Sequence, residues 1–187
     1  SKSGLKPDPK KVEAIVNMTH PQNREDVLRF LGMTTYLAKF IPNLSNVAAP
    51  LRELVSKEVE WHWEQAQEKS FNELKCALTS APVLQFFDPT KAVTLSVDSS
   101  SKGMGATLLQ DNKPVAYASK SLTKCQQNYA QIEKEMLAIV FGCERFHEYV
   151  YGQSMVTVES DHKPLEMIFK KPILEAPMRL QKMFLRL

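Results

Sequence analysis

The stretch VTLSVDSSSKGMGATLLQDNKPVAYASK (93–120) decides the fold. Val93, Leu95 and Val97 alternate with Thr94, Ser96 and Asp98, the period of two expected of a strand. Gly103-Met104-Gly105 opens a second strand segment, GMGATLLQ (103–110), and Asp111-Asn112 is turn chemistry leading into KPVAYASK (113–120). Connections this short join antiparallel neighbours. A helix is expected from about Ala130 to Tyr149. MVTVESD (155–161) then returns to a strand pattern, and a strand reached by a helical crossover should lie parallel to the first. Helical segments near 163–170 and 176–187 follow. The order βββαβαα predicts an α/β fold, a mixed sheet with helices packed on it.

Upstream the pattern is helical. Asp8-Pro9 starts a short helix by capping and by proline in its first turn. Asn23 can cap a second, whose stripe is Val27, Phe30, Leu31, Leu37 and Ile41. Residues 58–90 contain Trp61, Trp63 and a helix to about Thr79, with Phe71, Leu74 and Leu78 on one face. The tryptophans are expected to anchor that helix rather than stack on bases. Asp88-Pro89 marks a boundary. Three segments result: 1–57, helical and without obvious chemistry; 58–90, a connection; and 91–187, the strand-rich domain.

Composition narrows the function class. Of the 187 residues 43% are hydrophobic, enough for real cores, and no apolar run is long enough to cross a bilayer. Cys76, Cys125 and Cys143 are far apart and lack metal-ligand spacing, which suits reduced thiols in a reducing intracellular compartment. The net charge of +3 comes from residues 91–187, since 1–90 is balanced. The segment 163–187 places Lys163, Lys170, Lys171, Arg179, Lys182 and Arg186 against only Glu166 and Glu175. A basic tail beside a carboxylate cluster suits a polyanion approaching bound cations, although charge alone would describe a solvated helix face.

Three acids stand out. Asp98 ends the first strand, Asp161 ends the last, and Glu135 lies on the apolar stripe Ile132, Glu135/Met136, Ile139, Cys143 and Phe146. Separately they read as a turn residue, a helix cap and a surface acid near a helix N-terminus. Together, with sites forming at the carboxyl ends of parallel strands, they read as a metal site. A buried carboxylate in an apolar stripe needs a partner, and Lys134 should point to another face. Oxygen-only ligands select a hard ion, Mg²⁺ or Mn²⁺. Two such ions about 4 Å apart would activate water and stabilise the leaving oxygen of a phosphodiester. Glu133 is the rival for Glu135, on the stripe Leu137, Val140 and Glu144. His162 is expected to be a loop hydrogen-bonder, and Gly103-x-Gly105 to relieve crowding where a turn meets a strand.

The segments VDSSSKGMGATLLQ, KPVAYASKSL, NYAQIEKEMLAIV, RFHEYVYG and ESDHKPLEMIF together resemble the ribonuclease H domain of gypsy-class LTR retrotransposon Pol polyproteins. GLKPDPKKVEAI, REDVLRFLGMTTYLAKFIPNLS and W-x-WEQAQEKSFNELKCALTSAPVL resemble the reverse-transcriptase thumb and connecting segment of the same polyproteins. The resemblance implies a ribonuclease H-like mixed sheet preceded by a helical thumb and connection. It implies magnesium-dependent cutting of the RNA strand of an RNA–DNA hybrid, with Asp98, Glu135 and Asp161 as catalytic metal ligands and two ions in the full domain. The family's fourth acid would lie beyond Leu187 and the polymerase's paired aspartates before Ser1. The expected chain is therefore part of a polyprotein, without polymerase activity, with an unpaired edge beside 155–161 and weak or absent nuclease activity by itself. The rival reading is an inactive nucleic-acid-binding or structural piece of the same polyprotein. A transposase or integrase is disfavoured by the order Asp, Glu, Asp.

Overall fold

The computed structural model describes residues 4–170 and 172–187. The chain begins with five helices: α1 (Pro9–Val16), α2 (Arg24–Tyr36), α3 (Leu44–Val47), α4 (Ala49–Leu54) and α5 (Gln65–Thr79). The caps form as the sequence requires. Asp8 accepts a hydrogen bond from the Lys10 amide, and Asn23 accepts one from the Asp26 amide. Val27, Phe30 and Leu31 of α2 are buried; Leu37 and Ile41, expected on the same helix, lie just beyond its end but are buried too, and all five join α5 residues Phe71, Leu74 and Leu78 in one core running from Ile15 to Leu84. Trp61 and Trp63 lean on this core. The Trp63 ring meets Phe71 edge-on at 6.0 Å, and its Nε1 donates to Glu68 at 2.7 Å. They serve as anchors, as the sequence suggested.

Next come β1 (Val93–Ser99), β2 (Gly103–Gln110) and β3 (Lys113–Ser121), then α6 (Lys124–Gln127), α7 (Gln131–Arg145), α8 (His147–Val150), β4 (Val156–Glu159), α9 (Pro164–Phe169) and α10 (Met178–Phe184). The sheet order is β3-β2-β1-β4. The first three strands are antiparallel, and β4 lies parallel to β1 with Leu95 opposite Val158. Asp111 and Asn112, both at positive φ (50° and 58°), make the two-residue turn between β2 and β3 that matches the strands' twist. The α/β reading and the direction of every strand agree with the sequence.

Helix α7 covers one face of the sheet, with Met136, Ile139 and Val140 buried together with Val93, Leu95 and Val97. Gly142 lets it approach closely: a Cβ there would lie 3.0 Å from Leu95 Cδ2 and 3.2 Å from Val97 Cγ1. Three details differ from expectation. The helix expected over 130–149 ends at Arg145, and the buried Phe146 separates it from α8. Strand β4 stops at Glu159, so Asp161 lies in the bend before α9 rather than at the strand's last residue. Finally, Gly103 and Gly105 do relieve crowding, but the crowding comes from another part of the chain. A Cβ at Gly103 would meet Asn46 Oδ1 and Ser45 Oγ at 2.6 Å, and one at Gly105 would meet Asn43 Oδ1 at 2.8 Å. The segment before and within α3 therefore rests directly on β2, a contact that strand periodicity cannot reveal.

Candidate metal centre

Asp98 is the penultimate residue of β1, opposite Gly105 of β2. The alternation that buries Val93, Leu95, Val97 and Ser99 leaves Asp98 exposed. Asp161 follows β4, and because β4 is β1's parallel neighbour, both aspartates come to the same end of the sheet. They line a shallow cavity of 270 Å³ with Ser96, Val97, Glu159 and Ser160. Helix α7 brings the third acid. Glu135 is only 2% exposed because it lies on the helix face packed against the sheet. One carboxylate oxygen from each of Asp98, Glu135 and Asp161 can be chosen so that all three lie within 4.8 Å of one another. The sequence-predicted triad is thus a single cluster in space.

The two oxygens of Glu135 have different surroundings. Oε1 accepts from Ser99 Oγ at 2.7 Å and from Gln131 Nε2 at 2.5 Å. Oε2 is buried and has no hydrogen-bond partner among the described residues. Burial pushes the Glu135 carboxyl above the usual glutamate range; the bonds from Ser99 and Gln131 oppose that shift, and the charges of Asp161 and Asp98 add to it. An ionised carboxylate with one unsatisfied buried oxygen, facing two further acids, is unfavourable by itself. A divalent cation would satisfy that oxygen and neutralise the mutual repulsion. The donor set is all carboxylate, which fits a hard cation such as Mg²⁺ or Mn²⁺.

The rival acid has another task. Glu133 accepts from the Ala130 amide at 3.0 Å, closing the first turn of α7, and binds Arg179 Nη1 through both oxygens at 2.7 and 2.9 Å. Arg179 also lies over the Tyr129 ring, 4.2 Å from its centre. Of the basic residues singled out in the sequence, Arg179 is therefore held by its own chain. Lys163, Lys170 and Lys182 are exposed, and Lys171 lies outside the described residues. His162 donates its backbone amide to Ser160 Oγ at 3.3 Å, a loop contact.

Sequence reading missed Ser99 and Gln131. A signal existed for each. Ser99 occupies the fourth inward position of an otherwise apolar strand face, and Gln131 precedes Glu135 by one helical turn, within reach of its side chain.

Comparison with known proteins places this geometry. The model of the RNase H-like domain found in reverse transcriptase matches residues 63–158. The retrovirus-related Pol polyprotein from transposon opus of Drosophila melanogaster is 41% identical over 177 residues, covering 87% of this chain and 18% of the polyprotein. That from transposon 297 of the same organism is 36% identical, covering 88% of this chain and 16% of its own length. The transposon Tf2-3 polyprotein of Schizosaccharomyces pombe is 37% identical over 171 residues, covering 88% of this chain and 13% of its own length. The chain thus spans less than a fifth of these relatives. Among solved structures, the foamy viral protease-reverse transcriptase dRH in complex with double-stranded DNA superposes with a TM-score of 0.81 at 22% identity, over 99% of this chain and 34% of that one. The foamy viral enzyme in complex with an RNA/DNA hybrid gives 0.80 at 22% identity, over 99% and 26%. At that identity the superpositions establish a shared fold. The family match and the relatives show that the chain belongs to the RNase H-like domain family found in reverse transcriptases.

Proposed function

We propose that this chain is the ribonuclease H module of a retrotransposon Pol polyprotein, hydrolysing the RNA strand of RNA–DNA hybrids with divalent cations. The observation that carries the reading is the convergence of Asp98, Glu135 and Asp161, with a buried, unpartnered oxygen on Glu135. Asp98 and Asp161 would offer exposed oxygens to a cation and to the substrate, while the buried Glu135 would supply a further ligand. A cation bound there supplies the positive charge and Lewis acidity that phosphodiester hydrolysis needs, so no serine, histidine or cysteine nucleophile is required. Lys163, two residues beyond Asp161, and Lys170, at the end of α9, offer positive charge to the phosphates of the approaching strand, and Lys182 adds to it. Discrimination of RNA from DNA would rest on contacts to the 2′-hydroxyl and on groove shape.

Support comes from the family match, from Pol polyprotein relatives, and from the foamy viral enzyme whose structure holds an RNA/DNA hybrid. We read the three-part division of the chain in the same light: 1–57 as thumb-like, 58–90 as connection, and 91–187 as the nuclease module.

The test is cleavage of an end-labelled RNA–DNA hybrid by the purified chain with Mg²⁺ or Mn²⁺. The expected result is weak cutting of the RNA strand, no cutting of a DNA duplex of the same sequence, and loss of that cutting in Asp98→Asn, which keeps the shape of the ligand and removes its charge. Hybrid cleavage that survives Asp98→Asn, or needs no divalent cation, would overturn the assignment.

A further inference from the structure

Glu135 is held from two elements at once. Ser99 belongs to β1 and follows the proposed ligand Asp98 directly; Gln131 is the first residue of α7. Both donate to Oε1, at 2.7 and 2.5 Å. They are also joined to each other. Gln131 Nε2 lies 3.1 Å from Ser99 Oγ and 3.4 Å from the Ser99 carbonyl. The result is a closed polar ring of strand hydroxyl, helix amide and carboxylate, set at the edge of the apolar layer between sheet and helix. The ring uses one carboxylate oxygen fully and leaves the other with no partner among the described residues.

A carboxylate can rotate about its last torsion with little resistance, and its two oxygens are chemically equivalent until the surroundings distinguish them. Here the surroundings do. Two donors on one oxygen fix the plane of the group and prevent Glu135 from offering either oxygen at random. The strand that carries Asp98 supplies one of those donors, so a ligand and a holder of its partner ligand move together. Resting on the metal-centre reading above, we propose that Ser99 and Gln131 are positioning residues of the cluster. By occupying Oε1 they preset Oε2 of Glu135 as the ligand atom for a divalent cation shared with Asp98 and Asp161.

A merely structural role is the competing explanation. On that account the two donors only hold a buried carboxylate, whatever binds its far side. The two roles separate by measurement. Removing donors that only support the fold lowers stability and leaves the cation affinity of the folded chain unchanged. Removing donors that aim a ligand weakens cation binding, by an amount usually within 10- to 100-fold for groups that orient metal ligands.

The experiment is a titration of the whole 187-residue chain with Mn²⁺ at neutral pH, read by calorimetry and by the paramagnetic signal of free Mn²⁺. Urea unfolding in chelator is run beside it. Ser99→Ala and Gln131→Met each remove one donor, and each should raise the dissociation constant about tenfold. Ser99→Thr keeps the hydroxyl and should restore affinity to within about threefold of the parent. Gln131 is solvent-exposed at the start of its helix, so its variant keeps the core intact even if the buried Ser99→Ala fails to fold. Affinities unchanged in the folded donor-less variants, or a loss in Ser99→Ala that Ser99→Thr does not restore, would overturn the positioning role alone. If the parent chain shows no saturable Mn²⁺ binding, or Asp98→Asn binds as the parent does, the metal centre itself fails and the positioning role with it.

Discussion

Strands β1 and β4 are parallel neighbours that each bring an aspartate to the same end of the sheet, yet they are built differently. β1 is central. It has β2 on one side and β4 on the other, and Val93, Leu95 and Val97 are buried beneath α7. β4 is a four-residue edge strand, half-buried at Val156 and exposed from there on, with Val158 41% exposed. Asp98 therefore sits on a strand fixed on both sides, whereas Asp161 sits in a bend beyond a strand fixed on one. The difference implies a division of labour within the cluster. Asp98 and Glu135 form its rigid half, joined through Ser99, and Asp161 forms the half with more freedom, which on the proposed reading would adjust to a cation and a phosphate.

The largest expected consequence is energetic, and it can be tested on two residues in register. Leu95 of β1 is fully buried, and its side chain packs where Gly142 lets α7 come closest; Val158 of β4 is its pairing partner. Leu95→Ala should cost about 2–5 kcal/mol in urea unfolding, since it leaves a cavity under a helix that cannot easily collapse. Val158→Ala should stay within about 0.5 kcal/mol, as for other surface positions. Similar losses at the two positions would mean that β4 is as well packed as β1, and the contrast between the two aspartates would lose its basis.

Next in size is the effect of charge on the buried half of the cluster, for which α7 offers a control on the same helix. Burial raises the Glu135 carboxyl above its usual range, so the folded chain binds that proton more tightly than the unfolded chain does. Without a cation, stability is then fully present below the ordinary glutamate range and declines as pH rises through the raised value. Glu135→Gln should remove that decline and raise the unfolding midpoint of the metal-free chain at neutral pH, while abolishing cation binding. Glu133→Gln should instead lose up to about 1 kcal/mol, because Glu133 closes the first turn of α7 and pairs with a half-exposed Arg179. A Glu135→Gln chain with an unchanged pH–stability profile and midpoint would show that the third acid bears no strain in the absence of a cation.

This difference between the glutamates also shows where sequence reading reached its limit. The strands, their directions and the three acids were legible because each depends on local pattern: alternation in 93–97, turn chemistry at Asp111-Asn112, and a carboxylate interrupting an apolar helical stripe. What the sequence did not show is the partner of Glu133, Arg179, forty-six residues away, whose exposed position in a basic tail resembled a phosphate contact. The ring around Glu135 was hidden for a similar reason. Ser99's inward place on β1 and Gln131's place one turn before Glu135 are readable, but that both reach one carboxylate oxygen follows only once strand and helix are packed together. The end of α7 at Phe146 was equally illegible, since a buried aromatic fits a continuing helix as well as a stop. Long-range pairing is set by packing geometry, and a linear pattern carries no record of it.

The smallest predicted effect concerns how the rigid half is supported from outside the sheet. Ser100, just after β1, donates its hydroxyl to Asn46 of α3 at 2.7 Å, and the same oxygen receives the amides of Lys102 and Gly103 at 3.3 and 3.0 Å. The β1–β2 turn is thereby fixed to the helical part of the chain one residue from Ser99. Nearby, Arg52 Nη1 donates to Ser121 at 2.5 Å, and the Ser45 amide donates to Ser119 Oγ at 2.9 Å. No such contact reaches β4 among the described residues. Asn46→Ala removes one partly buried acceptor, a loss of about 0.5–1.5 kcal/mol. If the turn opens locally, the Lys102 and Gly103 amides should exchange with deuterium roughly 2- to 10-fold faster. Amides of β4 should exchange at their parental rate, because that strand has no route to Asn46 except through β1. Acceleration confined to the turn would place the support of Asp98 in the helical segments, whereas equal acceleration in β4 would mean that the sheet opens as one unit and that its two aspartates are equally free.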